Sequence, residues 1–135
     1  MKRIFVTGGA GFIGSHLVDK LMAQDNQVTV YDNLSSGKRD FIEQHLTEPN
    51  FSFVEADLLD LDLLMESMKE HDVVFHLAAN PEAREGMIKT KLDLEQNTIT
   101  TYNVLESMRA NDVKEIVFTS SGTVYGETPP IPVDE

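Results

Sequence analysis

The stretch Thr7-Gly8-Gly9-Ala10-Gly11-Phe12-Ile13-Gly14-Ser15-His16 puts four glycines within residues 8–14. Glycine gives up backbone entropy on folding, and in return it allows positive φ and close approach of another group to the main chain. Upstream, Arg3 to Thr7 reads as a short apolar strand. Downstream, Phe12, Ile13, His16, Leu17 and Leu21 recur at helical spacing, and the helix ends near Ala23 to Asn26. Between strand and helix, Gly9-Ala10-Gly11-Phe12-Ile13-Gly14 fits the glycine spacing of a dinucleotide fingerprint. Gly8, Gly11 and Gly14 fit a wider spacing as well. In this reading Gly8 or Gly9 makes the tight turn, Gly11 lets a pyrophosphate reach the backbone, and Gly14 lets the helix sit close to the sheet. Amides at the helix start supply donors for the anion.

Working outward, Gln27 to Tyr31 is a second strand that hands over to Asp32, 23 residues after Gly9. A carboxylate at about that distance receives ribose hydroxyls. It is an acceptor-only group that two hydroxyl donors satisfy and a 2′-phosphate would repel, so NAD is favoured over NADP. Lys38 and Arg39 soften that preference, since a flexible cation can serve a phosphate. The competing reading is a plain glycine turn followed by a solvated loop carboxylate. Asp57, after the third strand, is open to two readings: an acceptor for the adenine amino group, or a helix N-terminal residue or cap beside Leu58.

The remaining pattern alternates. Residues 38 to 48 look weakly helical, with Phe41, Ile42 and Leu46 on one side; Phe51 to Val54 is a third strand; Leu61, Leu64, Met65 and Met68 mark a helix. Val73 to Leu77 is a fourth strand, Leu92 to Arg109 a long helical stretch, and Glu115 to Thr119 a fifth strand. Strands separated by helices imply crossovers and a parallel sheet covered on both faces, so the expected fold is α/β, a doubly wound parallel sheet of Rossmann type in one domain. Asn80 to Lys91, with Gly86, is the one long irregular region. The run Thr128-Pro129-Pro130-Ile131-Pro132 suits neither helix nor interior strand. These 135 residues read as the first part of a longer protein.

Composition narrows the class. A formal charge of −12, spread along the chain, disfavours nucleic acid and anionic membrane as partners, so any anionic ligand must be held by local donors. The absence of cysteine removes thiol chemistry and disulfides. Ile4-Phe5-Val6 is too short for a signal peptide or spanning helix, and a cytoplasmic location is expected by default. His16, His45, His71 and His76 lack metal-ligand spacing, so no metal site is expected.

Chemistry on an open sheet belongs at the carboxyl ends of its strands. After the fourth strand come Ala78-Ala79-Asn80, small residues that let a cofactor pass. After the fifth come Thr119-Ser120-Ser121-Gly122-Thr123-Val124-Tyr125-Gly126, a concentration of hydroxyls. His76 reads as a packed, hydrogen-bonded strand residue in preference to a catalytic one.

On the segments Thr7 to His16, Tyr31-Asp32-Asn33-Leu34-Ser35-Ser36-Gly37, Asp57-Leu58, His76-Leu77-Ala78-Ala79 and Ser120 to Gly126, the chain resembles the N-terminal part of the extended short-chain dehydrogenase/reductase family, in its NAD-dependent epimerase/dehydratase branch, most similar to UDP-glucose 4-epimerase-like enzymes. The resemblance implies that Phe12 and Ile13 flank the pyrophosphate of NAD. It places Asp32, Asn33 and Ser36 on the adenosine ribose side, Asp57 and Leu58 beside adenine, Ala78 and Ala79 beside the cofactor, and Asn97 below the nicotinamide ribose. Gly8, Gly11, Gly14, Gly37, Leu77 and Thr119 complete that expected set. Ser121 takes the catalytic Ser/Thr position, with Ser120 and Thr123 as helpers, while Tyr125 belongs to a structural Val-Tyr-Gly segment. The family's catalytic tyrosine, four residues before a lysine, lies beyond Glu135, and so does the substrate domain. Asn80-Pro81-Glu82-Ala83-Arg84-Glu85-Gly86 departs from the family's usual Ser-Val-rich run, with Arg84 open to a substrate phosphate or a solvated role. For the whole protein the resemblance implies transient oxidation of a nucleotide-sugar hydroxyl by NAD and a homodimer. A dehydratase, a decarboxylating relative, another NAD-dependent sugar dehydrogenase, and a non-catalytic dinucleotide-sensing protein stand as alternatives.

Overall fold

The computed structural model describes residues 1–82, 84 and 88–126. Among them, five strands form one parallel sheet: β1 (Arg3–Thr7), β2 (Gln27–Asp32), β3 (Phe51–Glu55), β4 (Val73–His76) and β5 (Glu115–Phe118). Their order is β3-β2-β1-β4-β5, so the chain lays strands to one side of β1 and then crosses to the other. This is the Rossmann-type arrangement, and its switch point lies where β1 and β4 diverge. The helices are α1 (Phe12–Met22), α2 (Leu61–Ser67) and α3 (Thr100–Ala110), the last continuing a π-helical segment, Leu94–Ile99.

The apolar residues of the inner strands sort into two layers by the period of two that a strand imposes. Ile4 and Val6 of β1, Val28 and Val30 of β2 and Val73 of β4 join Val18 and Leu21 of α1 in one core. Phe5, Tyr31 and Val74, from the alternate positions, join Leu64 and Met68 near α2 and Val104 and Met108 of α3 in the other. Fully burying a side chain such as Phe5 contributes about 2–3 kcal/mol. β5 is the edge strand of the described sheet, and Val117 and Phe118 are about half exposed there.

Several expected boundaries shift for local reasons. Residues 38 to 48 form two 3-10 turns, Arg39–Phe41 and Glu43–His45, instead of a weak helix. Ile42 sits between them at φ −118° and ψ 5°, outside helical geometry, because its side chain turns fully into the core while Phe41 stays exposed. β2 gains Asp32, which pairs with Glu55. β4 and β5 stop one residue short, at His76 and Phe118. The helix expected from Leu92 is interrupted by the π-helical segment Leu94–Ile99 before α3. There the Thr100 hydroxyl donates to the Gln96 carbonyl at 2.7 Å and the Thr101 hydroxyl to the Asn97 carbonyl at 2.6 Å, so side chains compete for the ordinary amide acceptors. Gly86 and the proline run 129–132 lie outside the described residues. No described helix is long and apolar enough to cross a membrane.

Candidate functional site

The carboxyl ends of β1, β2, β4 and β5 surround a cleft of about 450 Å³. From the turn after β1 come Gly8, Gly11, Phe12, Ile13 and Gly14; from the loop after β2, Asp32, Asn33, Ser36 and Gly37; from beyond β3, Leu58; from beyond β4 and β5, Leu77, Ala78, Ala79 and Thr119. The structure thus gathers on one cavity residues that are more than a hundred positions apart in sequence.

The glycine turn is shaped by steric contact. Gly8 has φ +70°, so it and not Gly9 makes the turn, and a Cβ on it would lie 2.7 Å from the Ala78 amide nitrogen. A Cβ on Gly14 would land on the Gly8 carbonyl oxygen and 2.8 Å from Gly9 Cα. That glycine therefore seats the helix on its own entry loop, where the sequence reading had it against the sheet. Gly11 caps α1 in extended geometry with no side-chain cap, and the first turn holds no acidic residue. A helix leaves its first-turn amides without intrahelical acceptors. An added Cβ on Gly11 would meet only the Gly8 oxygen, at 3.2 Å, so the rest of that space belongs to the cleft.

Across the cleft, Asp32 is 9% exposed. Its Oδ2 accepts the Ala10 amide at 3.0 Å and its Oδ1 the Leu34 amide at 2.9 Å. An ionised carboxylate has about four acceptor positions, so about two remain for the cleft. Leu34 accordingly takes φ +57°, unusual for a leucine, as the loop wraps the carboxylate. Arg39 is drawn to Glu55, at 3.8 Å, and over the Phe53 ring at 5.2 Å; Lys38 lies over Phe41 at 5.7 Å. Both cations are engaged outside the cleft.

Asp57 and Asn97 stand apart from the main cleft lining. Asp57 borders an adjoining recess, with its Oδ2 accepting from Asn33 Nδ2 at 2.9 Å and its Oδ1 from the Leu59 amide at 2.9 Å. The helix-capping alternative for it goes to Asp60, whose side chain accepts the Leu63 amide. Leu58 is held from both sides of its peptide: Tyr31 Oη donates to the Asp57 carbonyl at 3.1 Å and Asn103 Nδ2 to the Leu58 carbonyl at 2.8 Å. Burial, with Asp60 and Asp57 adding to it, pushes the Tyr31 phenol up to about 12. Asn97 instead receives the Asn80 amide on its Oδ1 at 2.7 Å, and its neighbour Gln96 enters the cleft wall. Sequence reasoning passed over Gln96 because a regular helix gives no cue to the widened π turn. It also passed over Tyr31, Ser35, Ala56 and Pro81, whose signal was their position at or beside strand ends.

Ser120 and Ser121 are exposed beyond β5, and the Val124 amide donates to the Ser121 carbonyl at 3.2 Å as the 3-10 turn Gly122–Tyr125 begins. The side chain of Thr123 lies outside the described residues. Arg84 is exposed.

A model of the NAD dependent epimerase/dehydratase family matches residues 4–135. A UDP-glucose 4-epimerase of Mycolicibacterium smegmatis is 40% identical over 136 residues, covering 98% of this chain and 43% of that protein. A UDP-N-acetyl-alpha-D-glucosaminuronate decarboxylase of Bacillus cytotoxicus is 39% identical, covering 99% and 41%. Among solved structures, the UDP-glucose 4-epimerase of Thermus thermophilus in complex with NAD superposes with a TM-score of 0.85 at 37% identity, over 98% of this chain and 42% of that one. The chain spans about two fifths of the length of each of these relatives.

Proposed function

Because the chain belongs to the NAD dependent epimerase/dehydratase family, we propose that its cleft binds NAD and that the whole protein is a nucleotide-sugar epimerase of UDP-glucose 4-epimerase type. The observation that carries the reading is the pairing, across one cavity, of an uncapped helix start over Gly11 with the buried Asp32 carboxylate. The first receives a diphosphate and the second a ribose diol. Gly8, Gly11, Phe12, Ile13 and Gly14 hold the diphosphate. Asp32, Asn33, Ser36 and Gly37 hold the adenosine ribose, Leu58 and Asp57 flank adenine, and Leu77, Ala78, Ala79 and Thr119 border the nicotinamide side, with Asn97 acting from behind that wall through the Asn80 amide. With both nearby cations engaged elsewhere, Asp32 sets a preference for NAD over NADP.

A nicotinamide bound there supplies a hydride acceptor for a substrate alcohol. Ser121 then hydrogen-bonds the sugar hydroxyl, with Ser120 and Thr123 beside it. None of Tyr31, Tyr102 and Tyr125 is followed four residues later by lysine. The proton-transferring pair that the family resemblance implies is therefore absent from these residues, which bind NAD without turnover. The decarboxylase relative at 39% identity supports a second reading, in which the whole protein decarboxylates its nucleotide sugar. Cytoplasmic location and a homodimer accompany either reading.

Calorimetric titration with NAD and NADP tests the proposal. Saturable NAD binding, with NADP weaker, is expected. A well-folded protein by circular dichroism that binds neither would overturn it.

A further inference from the structure

His76 is almost completely buried at the end of β4, beneath the cleft floor. Its Nδ1 lies 2.6 Å from Thr7 Oγ1 and its Nε2 3.1 Å from Thr101 Oγ1, and its ring stacks on Phe118 with centroids 5.5 Å apart. The proton positions follow from the partners. Thr101 has one hydroxyl proton, and it goes to the Asn97 carbonyl at 2.6 Å. Towards His76 this hydroxyl oxygen can only accept, so Nε2 carries the ring proton. Nδ1 is then the acceptor, and the Thr7 hydroxyl donates to it. The Thr7 oxygen in turn accepts the Ala78 amide at 3.3 Å. With the Thr101 proton on the Asn97 carbonyl, the links run one way: Ala78 amide to Thr7, Thr7 to His76, His76 to Thr101, Thr101 to the Asn97 carbonyl.

We propose that His76 is a positioning residue, locked as the Nε2–H tautomer at the centre of this one-way chain, which sets the cleft-floor peptide of Ala78 against the π-helical turn carrying Gln96 and Asn97. The two ends of the chain flank the same region. Ala78 and Gln96 line the cleft, and the Asn97 side chain holds the Asn80 amide. The Thr119 hydroxyl also donates to the His76 carbonyl at 3.2 Å, tying the segment after β5 to the same residue. A proton on Nδ1 would face the Thr7 oxygen, and Nε2 would then find a donor only if the Thr101 proton left its 2.6 Å bond to the Asn97 carbonyl. The Nε2–H state is the one that keeps all four bonds.

His71 provides a contrast within the same molecule. Its Nδ1 faces the Lys69 carbonyl at 3.0 Å, which can only accept, so its proton is on Nδ1, and Nε2 accepts from the Thr29 hydroxyl at 2.9 Å. The buried His76 ring and the half-buried His71 ring carry opposite tautomers.

The functional weight of this inference rests on the NAD reading, but its structural content does not. Long-range 1H–15N spectra of the imidazoles in the 135-residue chain at neutral pH read the tautomers directly, with His76 assigned by loss of its signals in His76→Gln. The expected result is Nε2–H for His76 and Nδ1–H for His71; an Nδ1–H or mixed-tautomer His76 overturns the proposal. In parallel, Thr101→Val should weaken NAD binding about fivefold, a typical size for a network position, and Thr101→Ser should restore it. A folded Thr101→Val that binds NAD like the parent, with the His76 tautomer unchanged, also overturns it. If the parent binds no NAD, the cofactor reading fails, and the spectra still decide the tautomer.

Discussion

Replacing Asp32 with asparagine separates the two roles that the structure gives this carboxylate. Its oxygens accept two different backbone amides, from Ala10 at 3.0 Å and Leu34 at 2.9 Å, in a site that is 9% exposed. Hydrogen bonds to a charged acceptor contribute about 1.5–3 kcal/mol each. Asparagine keeps one oxygen, so one of the two amides must face an NH2 group and lose its acceptor. The expected cost to folding is about 2 kcal/mol. In a domain of this size that lowers Tm by roughly 6–10 °C.

The same substitution changes what the cleft offers a ligand. A carboxylate accepts from both hydroxyls of a ribose, whereas an amide offers one acceptor and one donor. Loss of one charge-assisted bond weakens NAD by about 2 kcal/mol, or about 30-fold. NADP loses a like-charge repulsion at the same time, so the preference between the two narrows by about tenfold or more. Calorimetry with both dinucleotides, run alongside urea unfolding, reads the two effects separately. If Asp32→Asn loses stability but keeps its NAD affinity and preference, Asp32 only shapes the loop and the assignment of the ribose site is wrong.

Gly8→Ala is expected to destabilise the fold by about 3 kcal/mol by urea unfolding, because it combines a left-handed φ of +70° with a Cβ 2.7 Å from the Ala78 nitrogen. Ser107→Ala should be neutral or stabilising by up to about 1 kcal/mol in the same assay, since the Ser107 hydroxyl is fully buried with no hydrogen-bond partner among the described residues. Acid should weaken the fold through His76, whose imidazole burial pushes down to about 4 with no charged side chain contributing; Thr7, Thr101 and Phe118 are the groups that face it. The unfolded chain then binds the extra proton from about pH 6.5 downward while the folded chain resists it, so stability is full above pH 6.5 and falls by about 2 kcal/mol between pH 7.5 and 5. Urea unfolding across that range checks the sign. A flat profile would contradict it, and His76→Gln should shrink it, leaving the contribution of His71, whose imidazole burial also lowers.

What was legible in the sequence was whatever repeats with a period or breaks one. The five strands announced themselves by apolar runs, and β1 ends and α1 begins where the glycines require. Since a parallel Rossmann-type sheet brings its strand ends together, naming the strand ends was enough to gather Gly11, Asp32, Leu58, Ala78 and Thr119 on one cavity. Less legible was anything decided by a single side chain acting on its neighbours' backbone. The Thr100 and Thr101 hydroxyls open the π turn that brings Gln96 into the wall, yet in the sequence they are two helix residues in register. Ile42 breaks residues 38 to 48 into two turns by burying itself, which periodicity alone reads as a weak helix.

The excess of acidic residues also takes on a local meaning. A protein of net charge −12 gives an anion no long-range attraction, and the two cations nearest the loop after β2 are held by Glu55 and by aromatic rings. Affinity for a diphosphate must then come from main-chain amides, whose direction is set by backbone geometry and whose strength salt screens little when they are enclosed. That places the burden on the glycines, because an amide donor works at contact distance and a single Cβ in its path removes it. A substituted Gly11 could not be compensated by adding a lysine at the rim, since the cation would lie outside the contact that the cleft provides.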